Sequence, residues 1–380
     1  MSLNDKVREY TAQLNQKGLL RSRQVTEPAN SGLIHFDSND YLSLTDDKNI
    51  AKAYQHGYTC YPSGSGASML LSGYHPNHLA VEQAFAALLD VDECILFSSG
   101  YAANLAVTAL LGSLKAHCII DKSVHASIYD GLTLSQVGYT RYQHNNLDDL
   151  SLKLNSVPPH SALITEGIFS MSGQIAPLSA ISSICIRNNI ELIVDEAHSF
   201  GVLGKQGIGA VDYHGLSQKN VPLRIIPLGK SFASQGAIIG GKKEWINALL
   251  QAGRSIIYST AISPALSYGL LKTLDIVTAA EDRRNHLRQL IDLFKEYIQS
   301  SPLKWSQSDT PIQQLHLGCP HLALNYAQEL KKQGISCSAI RSPTVNIKST
   351  GLRVLLNYRH DETQIKQFFN ILHSIYENTH

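Results

Sequence analysis

The chain has 380 residues, 43% hydrophobic and 17% charged, with a formal net charge of +1. At roughly 150 residues per domain, that length predicts two domains and suffices for a large buried core. The balanced charge, with no basic or acidic block, argues against nucleic acid or a membrane surface as partner. No apolar run approaches membrane-spanning length, and Met1-Ser2-Leu3-Asn4-Asp5-Lys6 has no apolar signal-like region. The six cysteines (60, 94, 118, 185, 319 and 337) form no Cys-x-x-Cys pair. They read as reduced, mostly buried thiols of a cytoplasmic protein, with no metal site. His-Glu-x-x-His and Gly-x-Ser-x-Gly are both absent, so zinc protease and serine hydrolase chemistry lack their signatures.

In chain order, Leu3, Val7, Tyr10 and Leu14 space out as one face of an amphipathic helix. Ile34-His35-Phe36 then leads into Asn39-Asp40-Tyr41-Leu42. From residue 93 strands and helices alternate, with strands predicted at Glu93–Phe97, His117–Asp121, Tyr139–Gln143, Ala162–Thr165, Glu191–Val194 and Arg224–Leu228. That alternation predicts an α/β fold with a largely parallel sheet. Past Pro264 a long helical stretch runs to Ser300. Strand, helix, strand and helix follow at Gln313–Leu317, His321–Gly334, Leu352–Asn357 and Glu362–Tyr376. The organisation expected is an N-terminal helix and arm (1–40), a large domain (41–265), and a linking helix with a small α/β domain (266–380).

A polar group stands just beyond each of the six strands: Ser98-Ser99-Gly100, His125, His144-Asn145, Glu166, Asp195 with His198, and Lys230. In open α/β sheets ligands bind outside the carboxyl ends of the strands, so these residues converge on one expected site. An acid with a histidine three residues on, then a lysine leaving a second buried strand, suits pyridoxal 5′-phosphate (PLP). The lysine holds the cofactor as a Schiff base, and the acid keeps its pyridine nitrogen protonated. Taken singly, the same residues read as a helix-capping acid and a surface lysine. Free amides at the helix opened by Ser98-Ser99-Gly100-Tyr101 suit a phosphate. A nucleotide-hydrolysis reading of Asp195-Glu196-Ala197-His198 with Gly229-Lys230-Ser231 fails, because the glycine that a P-loop needs is replaced by Arg224 and the two motifs stand in the wrong order.

Together the segments resemble the α-oxoamine synthases, a branch of the fold-type-I PLP enzymes, over roughly residues 3 to 375. The resemblance is carried by Ser38-Asn39-Asp40-Tyr41-Leu42, Gly64-Ser65-Gly66, Leu71-Ser72-Gly73, Phe97 to Asn104, Thr165 to Met171, Asp195 to Gly204, and Tyr258-Ser259-Thr260. Ala339-Ile340-Arg341-Ser342-Pro343-Thr344-Val345 is similar to a segment of the biotin-pathway branch. The resemblance implies a seven-stranded, mostly parallel large-domain sheet and a homodimer with shared active sites. It implies Lys230 as the Schiff-base lysine, Asp195 on the pyridine nitrogen, His198 on the ring hydroxyl and His125 stacked on the ring. Gly100, Tyr101 and Ser170 are implied to line the cofactor with Glu166 close by, and Arg21, Asn39, Thr344 and Arg353 to contact substrate. The activity implied is a decarboxylating condensation of L-alanine with a pimeloyl thioester of CoA or acyl carrier protein.

The chain departs from that pattern in places. Pro227 stands where the family usually has a threonine on the cofactor phosphate, and Met69, Ser172 and Ile208 replace commoner residues. Leu356-Asn357-Tyr358-Arg359-His360 is not the usual biotin-branch ending and fits a sister synthase using a longer acyl-CoA, of the autoinducer type, as the alternative. A catalytically dead scaffold is the alternative from another class; Lys230, Asp195 and His198 together argue against it.

Overall fold

The computed structural model describes residues 1–23, 25 and 32–378. It divides into two compact units, one comprising Asp40–Ser170 and Ile175–Arg284, the other Met1–Asn39, Met171–Gln174 and Asn285–His380.

The larger unit is organised by a seven-stranded sheet. Across the sheet the strands run Glu93–Phe97, Ala237–Gly241, Leu223–Pro227, Glu191–Asp195, Ser161–Glu166, His117–Asp121 and Tyr139–Tyr142. Only Ala237–Gly241 runs against the others, pairing antiparallel with both neighbours. The sequence reading missed this strand, whose Ala-Ile-Ile-Gly-Gly is short and glycine-rich. The central strands are continuous aliphatic runs because both faces are covered: Leu192, Ile193, Val194, Leu223, Ile225 and Ile226 are fully buried. Each such side chain contributes about 1.5–3 kcal/mol. The six co-directional strands bring residues 97, 121, 142, 166, 195 and 227 to one edge.

The smaller unit holds a four-stranded antiparallel sheet in the order Ser338–Ile340, Gly351–Leu355, Ile312–His316 and Lys304–Trp305. The helices Pro320–Lys332 and Glu362–Glu377 belong to the same unit. The long helical stretch past Pro264 is two helices, Pro264–Ala279 and Glu281–Gln299, separated at Ala280. Glu281 and Asp282 open the second, where acidic side chains complement the helix dipole. None of the described helices is long and apolar enough to cross a membrane.

Candidate active site

A cleft of about 570 Å³ opens at the carboxyl edge of the large sheet. Ser98, Ser99, Gly100, Tyr101, His125, Glu166, Asp195, His198 and Lys230 line it, as do Asn104, Ser127, Pro227, Ser234, Gln235 and Gly236. The polar groups singled out beyond five of the six strands therefore meet. The sixth pair does not: His144 Nδ1 lies 3.0 Å from Asp121 Oδ1, and the Asn145 amide donates to Asp121 Oδ2 at 2.8 Å. These two residues satisfy a buried carboxylate at a strand end and do not line the cleft.

Each wall has a local cause. Ser99 caps the helix Gly100–Ser113 by accepting from the Ala102 amide at 3.1 Å. The first amides of that helix have no intrahelical acceptor and face the cleft end. Gly100 permits the close approach of a neighbour: a Cβ there would meet Pro227 Cγ at 2.5 Å. Gly236 turns the antiparallel strand into place with φ +101° and bridges Ser99. His125 caps the helix Ala126–Leu134, its Nδ1 accepting from the Ser127 amide at 3.2 Å. The cap reading and the ligand reading of this histidine are thus compatible. Lys230 stands half-buried on the turn after Leu223–Pro227.

The electrostatics centre on two carboxyls. Asp195 and Glu166 end adjacent strands as register partners, and they are 3% and 2% exposed. Asp195 Oδ2 accepts from Asn104 Nδ2 at 2.8 Å and Oδ1 from the Ala197 amide at 2.9 Å. Burial raises the Asp195 pKa, while the Asn104 and Ala197 bonds and the charges of His125 and Lys230 oppose it. Burial and then the Asp195 charge hold Glu166 well above the ordinary carboxyl range, with the Ser170 and His125 amides opposing. The Ser170 amide donates to Glu166 Oε2 at 3.2 Å, and Oε1 has no well-aligned hydrogen bond among the described residues. Partial desolvation lowers the His125 pKa. Behind His198 the fully buried Tyr41 places its hydroxyl 2.7 Å from Nδ1. Tyr101 gives its hydroxyl to Asp130. Ser170 is buried and does not line the cleft.

The remaining predicted site residues lie in the smaller unit, in two pairs. Arg353, 8% exposed, reaches Asn39 Oδ1 at 3.0 Å, and Arg21 donates to Thr344 Oγ1 at 3.1 Å. The strand carrying Arg353 is flanked on both sides, so this arginine is not an edge residue exposed to solvent.

Sequence reasoning missed Asn104, Ser127 and Tyr41. For Asn104 a signal existed: it is the one amide in the helix segment Ala102 to Leu111, where Thr108 is the only other polar residue. A buried polar group in such a helix needs a partner.

Residues 31–372 match the aminotransferase class I and II family. The chain belongs to that family. It is 38% identical to an 8-amino-7-oxononanoate synthase of Pseudomonas putida (strain GB-1) over 95% of this chain and 93% of that protein. An 8-amino-7-oxononanoate synthase of Cellvibrio japonicus is 36% identical over 96% of this chain and 92% of that protein. Among solved structures, the 8-amino-7-oxononanoate synthase of Francisella tularensis is 33% identical with TM-score 0.81, covering 91% of this chain and 98% of that one. A Sphingomonas wittichii serine palmitoyltransferase shares the fold with TM-score 0.90 over 100% of this chain and 99% of that one, at 24% identity. The cofactor of this family member is PLP. The cleft fits it: an amine, two buried carboxyls and two imidazoles share it with the start of the helix Gly100–Ser113, and Glu166 Oε1 stands buried at the wall without a well-aligned partner.

Proposed function

We propose that the protein condenses L-alanine with a pimeloyl thioester, of CoA or acyl carrier protein, giving 8-amino-7-oxononanoate, CO2 and the free thiol in biotin biosynthesis. One observation carries this reading: Lys230, Asp195, His198 and His125 line one cleft in a chain 38% identical, over nearly its whole length, to a synthase of that name. When bound, PLP supplies the electron sink that makes the α-carbon of alanine nucleophilic.

In this reading Lys230 Nζ would hold the cofactor, and its amine, when free, would take the α-proton of alanine. Asp195 faces the pyridine nitrogen and keeps it protonated. His125 would hold the ring from its face, and His198, oriented by Tyr41, would hold the ring oxygen. The amides at the start of the helix Gly100–Ser113 would receive the phosphate, and Glu166, held from behind by the Ser170 amide, completes the wall. Arg353 holds the alanine carboxylate, which a guanidinium binds with two parallel hydrogen bonds. Arg21, Asn39 and Thr344 contact the substrates. The α-carbon would bond to the thioester carbonyl carbon as the thiolate leaves and takes a proton, the carboxylate would depart as CO2, and the electron pair left on the α-carbon would take a proton returned by Lys230 or a neighbour.

The unusual ending Leu356–His360 includes a residue that packs within the smaller unit. Its His360 is buried, stacks on Phe36 with ring centroids 4.1 Å apart and accepts from the Asn357 amide at 3.0 Å, all packing roles. The protein acts in the cytoplasm as a homodimer with shared sites. The exposed Leu70, Leu71 and Tyr74 of the larger unit are suited to be covered by a second copy. Mass analysis of products from alanine, glycine and serine against pimeloyl-, octanoyl- and decanoyl-CoA tests the reading. Alanine with pimeloyl-CoA is expected to be turned over fastest; preference for a longer monoacyl chain overturns it.

A further inference from the structure

Asp195 and Glu166 are neighbouring buried carboxyls, and two such groups do not both ionise readily in a dry wall. The structure treats them unequally. Asp195 has both oxygens hydrogen-bonded, at 2.8 and 2.9 Å, whereas Glu166 has only the backbone amides of Ser170, at 3.2 Å, and His125 acting on it and leaves Oε1 without a well-aligned partner among the described residues. The Ala197 bond comes from the turn itself. The other donor is Asn104, from the middle of the helix Gly100–Ser113.

Asn104 is fixed in its orientation. Its Nδ2 donates both hydrogens, one to Asp195 Oδ2 and one to Ser127 Oγ at 3.0 Å. Turned over, the amide would set an oxygen against the carboxylate. Ser127 Oγ in turn lies 2.8 Å from His125 Nδ1, and that nitrogen already accepts from the Ser127 amide. The serine hydroxyl, accepting from Asn104, thus gives its hydrogen to His125, whose own N–H lies at Nε2. Asn104 and Ser127 are 3% and 0% exposed, so water does not substitute readily for either bond.

We propose that Asn104 is a positioning residue that places the buried negative charge of the cleft on Asp195 rather than on Glu166. The groups acting on Asp195 are Glu166 from the adjacent strand, His125 from the helix cap and Lys230 from the turn; Asn104 and the Ala197 amide are the donors in contact. Both carboxyls line the cleft with Lys230, and the charge belongs on Asp195 because a side-chain amide and a backbone amide meet its two oxygens. The inference rests on the reading of Asp195 as the partner of the pyridine nitrogen.

The test is PLP binding to apo-protein as a function of pH, in wild type, Asn104→Leu, Ser127→Ala and Asp195→Asn. Wild type is expected to lose affinity on the acid side as Asp195 protonates. Asn104→Leu, which is nearly isosteric and removes both donors, should move that acid limb up by about one pH unit or more. Ser127→Ala, which leaves the Asn104–Asp195 bond in place, should move it by less than half as much. An acid limb within a few tenths of wild type in Asn104→Leu overturns the proposal, as does an equal shift in Ser127→Ala, which would mark mere repacking. If the leucine variant fails to fold, Asn104→Ala is read in the same way. An Asp195→Asn protein with the wild-type acid limb defeats the underlying assignment of Asp195 instead, whatever Asn104 does.

Discussion

Asp195 and Glu196 are consecutive carboxylates in neighbouring environments with different work. Glu196, fully buried, has a cation of its own: Arg224 from the next strand brings Nε to 2.7 Å and Nη2 to 2.6 Å from Oε1. Its Oε2 accepts from Ser199 Oγ at 2.8 Å and from the Ala210 amide at 2.5 Å. Gly209 passes so close, at φ +106°, that a Cβ would meet Oε2 at 1.9 Å. Every acceptor position of Glu196 is spent on protein. Asp195 receives two neutral donors and otherwise faces the cleft. A carboxylate with its own counter-ion is a brace, while one held by neutral donors at a cleft wall retains its charge for a ligand.

The largest effect that sharpens this contrast belongs to the cleft side. Lys230→Ala should fold normally and lose essentially all turnover, because the cofactor anchor and the proton-moving amine go together. Borohydride reduction of the wild-type holoenzyme and peptide mapping should find the pyridoxyl group on Lys230. Label on another lysine breaks the assignment.

Asp195→Asn should bind PLP yet slow exchange of the alanine α-proton by about two orders of magnitude or more, since the charge facing the ring is lost. Its unfolding midpoint should stay near wild type. Exchange within a few-fold of wild type would place Asp195 with the braces.

Arg224→Leu should do the reverse. It leaves Glu196 buried without its cation, a change that costs about 3–5 kcal/mol. Denaturant titration should show that loss, while turnover per folded molecule changes little. Adding Glu196→Leu should recover part of the stability; no recovery would mean that the pair is not what the arginine supports.

The smallest effect is expected at Pro227, whose ring packs against Gly100 at the cleft edge. A hydrogen bond from threonine to a charged phosphate is worth about 1.5–3 kcal/mol when nothing else compensates. Ser98 and Ser99 line the same cleft, so Pro227→Thr should tighten PLP binding by less than about tenfold. Equilibrium titration of apo-protein decides it, and unchanged or weaker binding shows that the phosphate already has its donors.

Much of the fold was legible because its signals are local. Aliphatic runs bounded by polar residues gave the six co-directional strands to within a residue or so, and apolar spacing gave the N-terminal helix, whereas the stretch past Pro264 is two helices and not one. The strand Ala237–Gly241 was not legible, since five residues with two glycines have no period to detect. In the site, Lys230, Asp195 and His198 announced themselves because charged groups stand out at the ends of apolar strands. His144 and Asn145 carried the same local signal and were drawn instead to Asp121.

By itself, then, the sequence determined which residue types stand at which strand ends, and through them the family and its cofactor chemistry. Only the tertiary structure decided how those groups are divided between chemistry and bracing. Asn104 meets Asp195 across 91 residues and Tyr41 meets His198 across 157, and no local pattern encodes such distances. Pairing the strands of Asp195 and Glu166 made two carboxyls compete for one charge, and the hydrogen bonds each receives settle the competition. That outcome depends on burial and donor geometry, properties that arise only once the sheet and the helix Gly100–Ser113 have packed together.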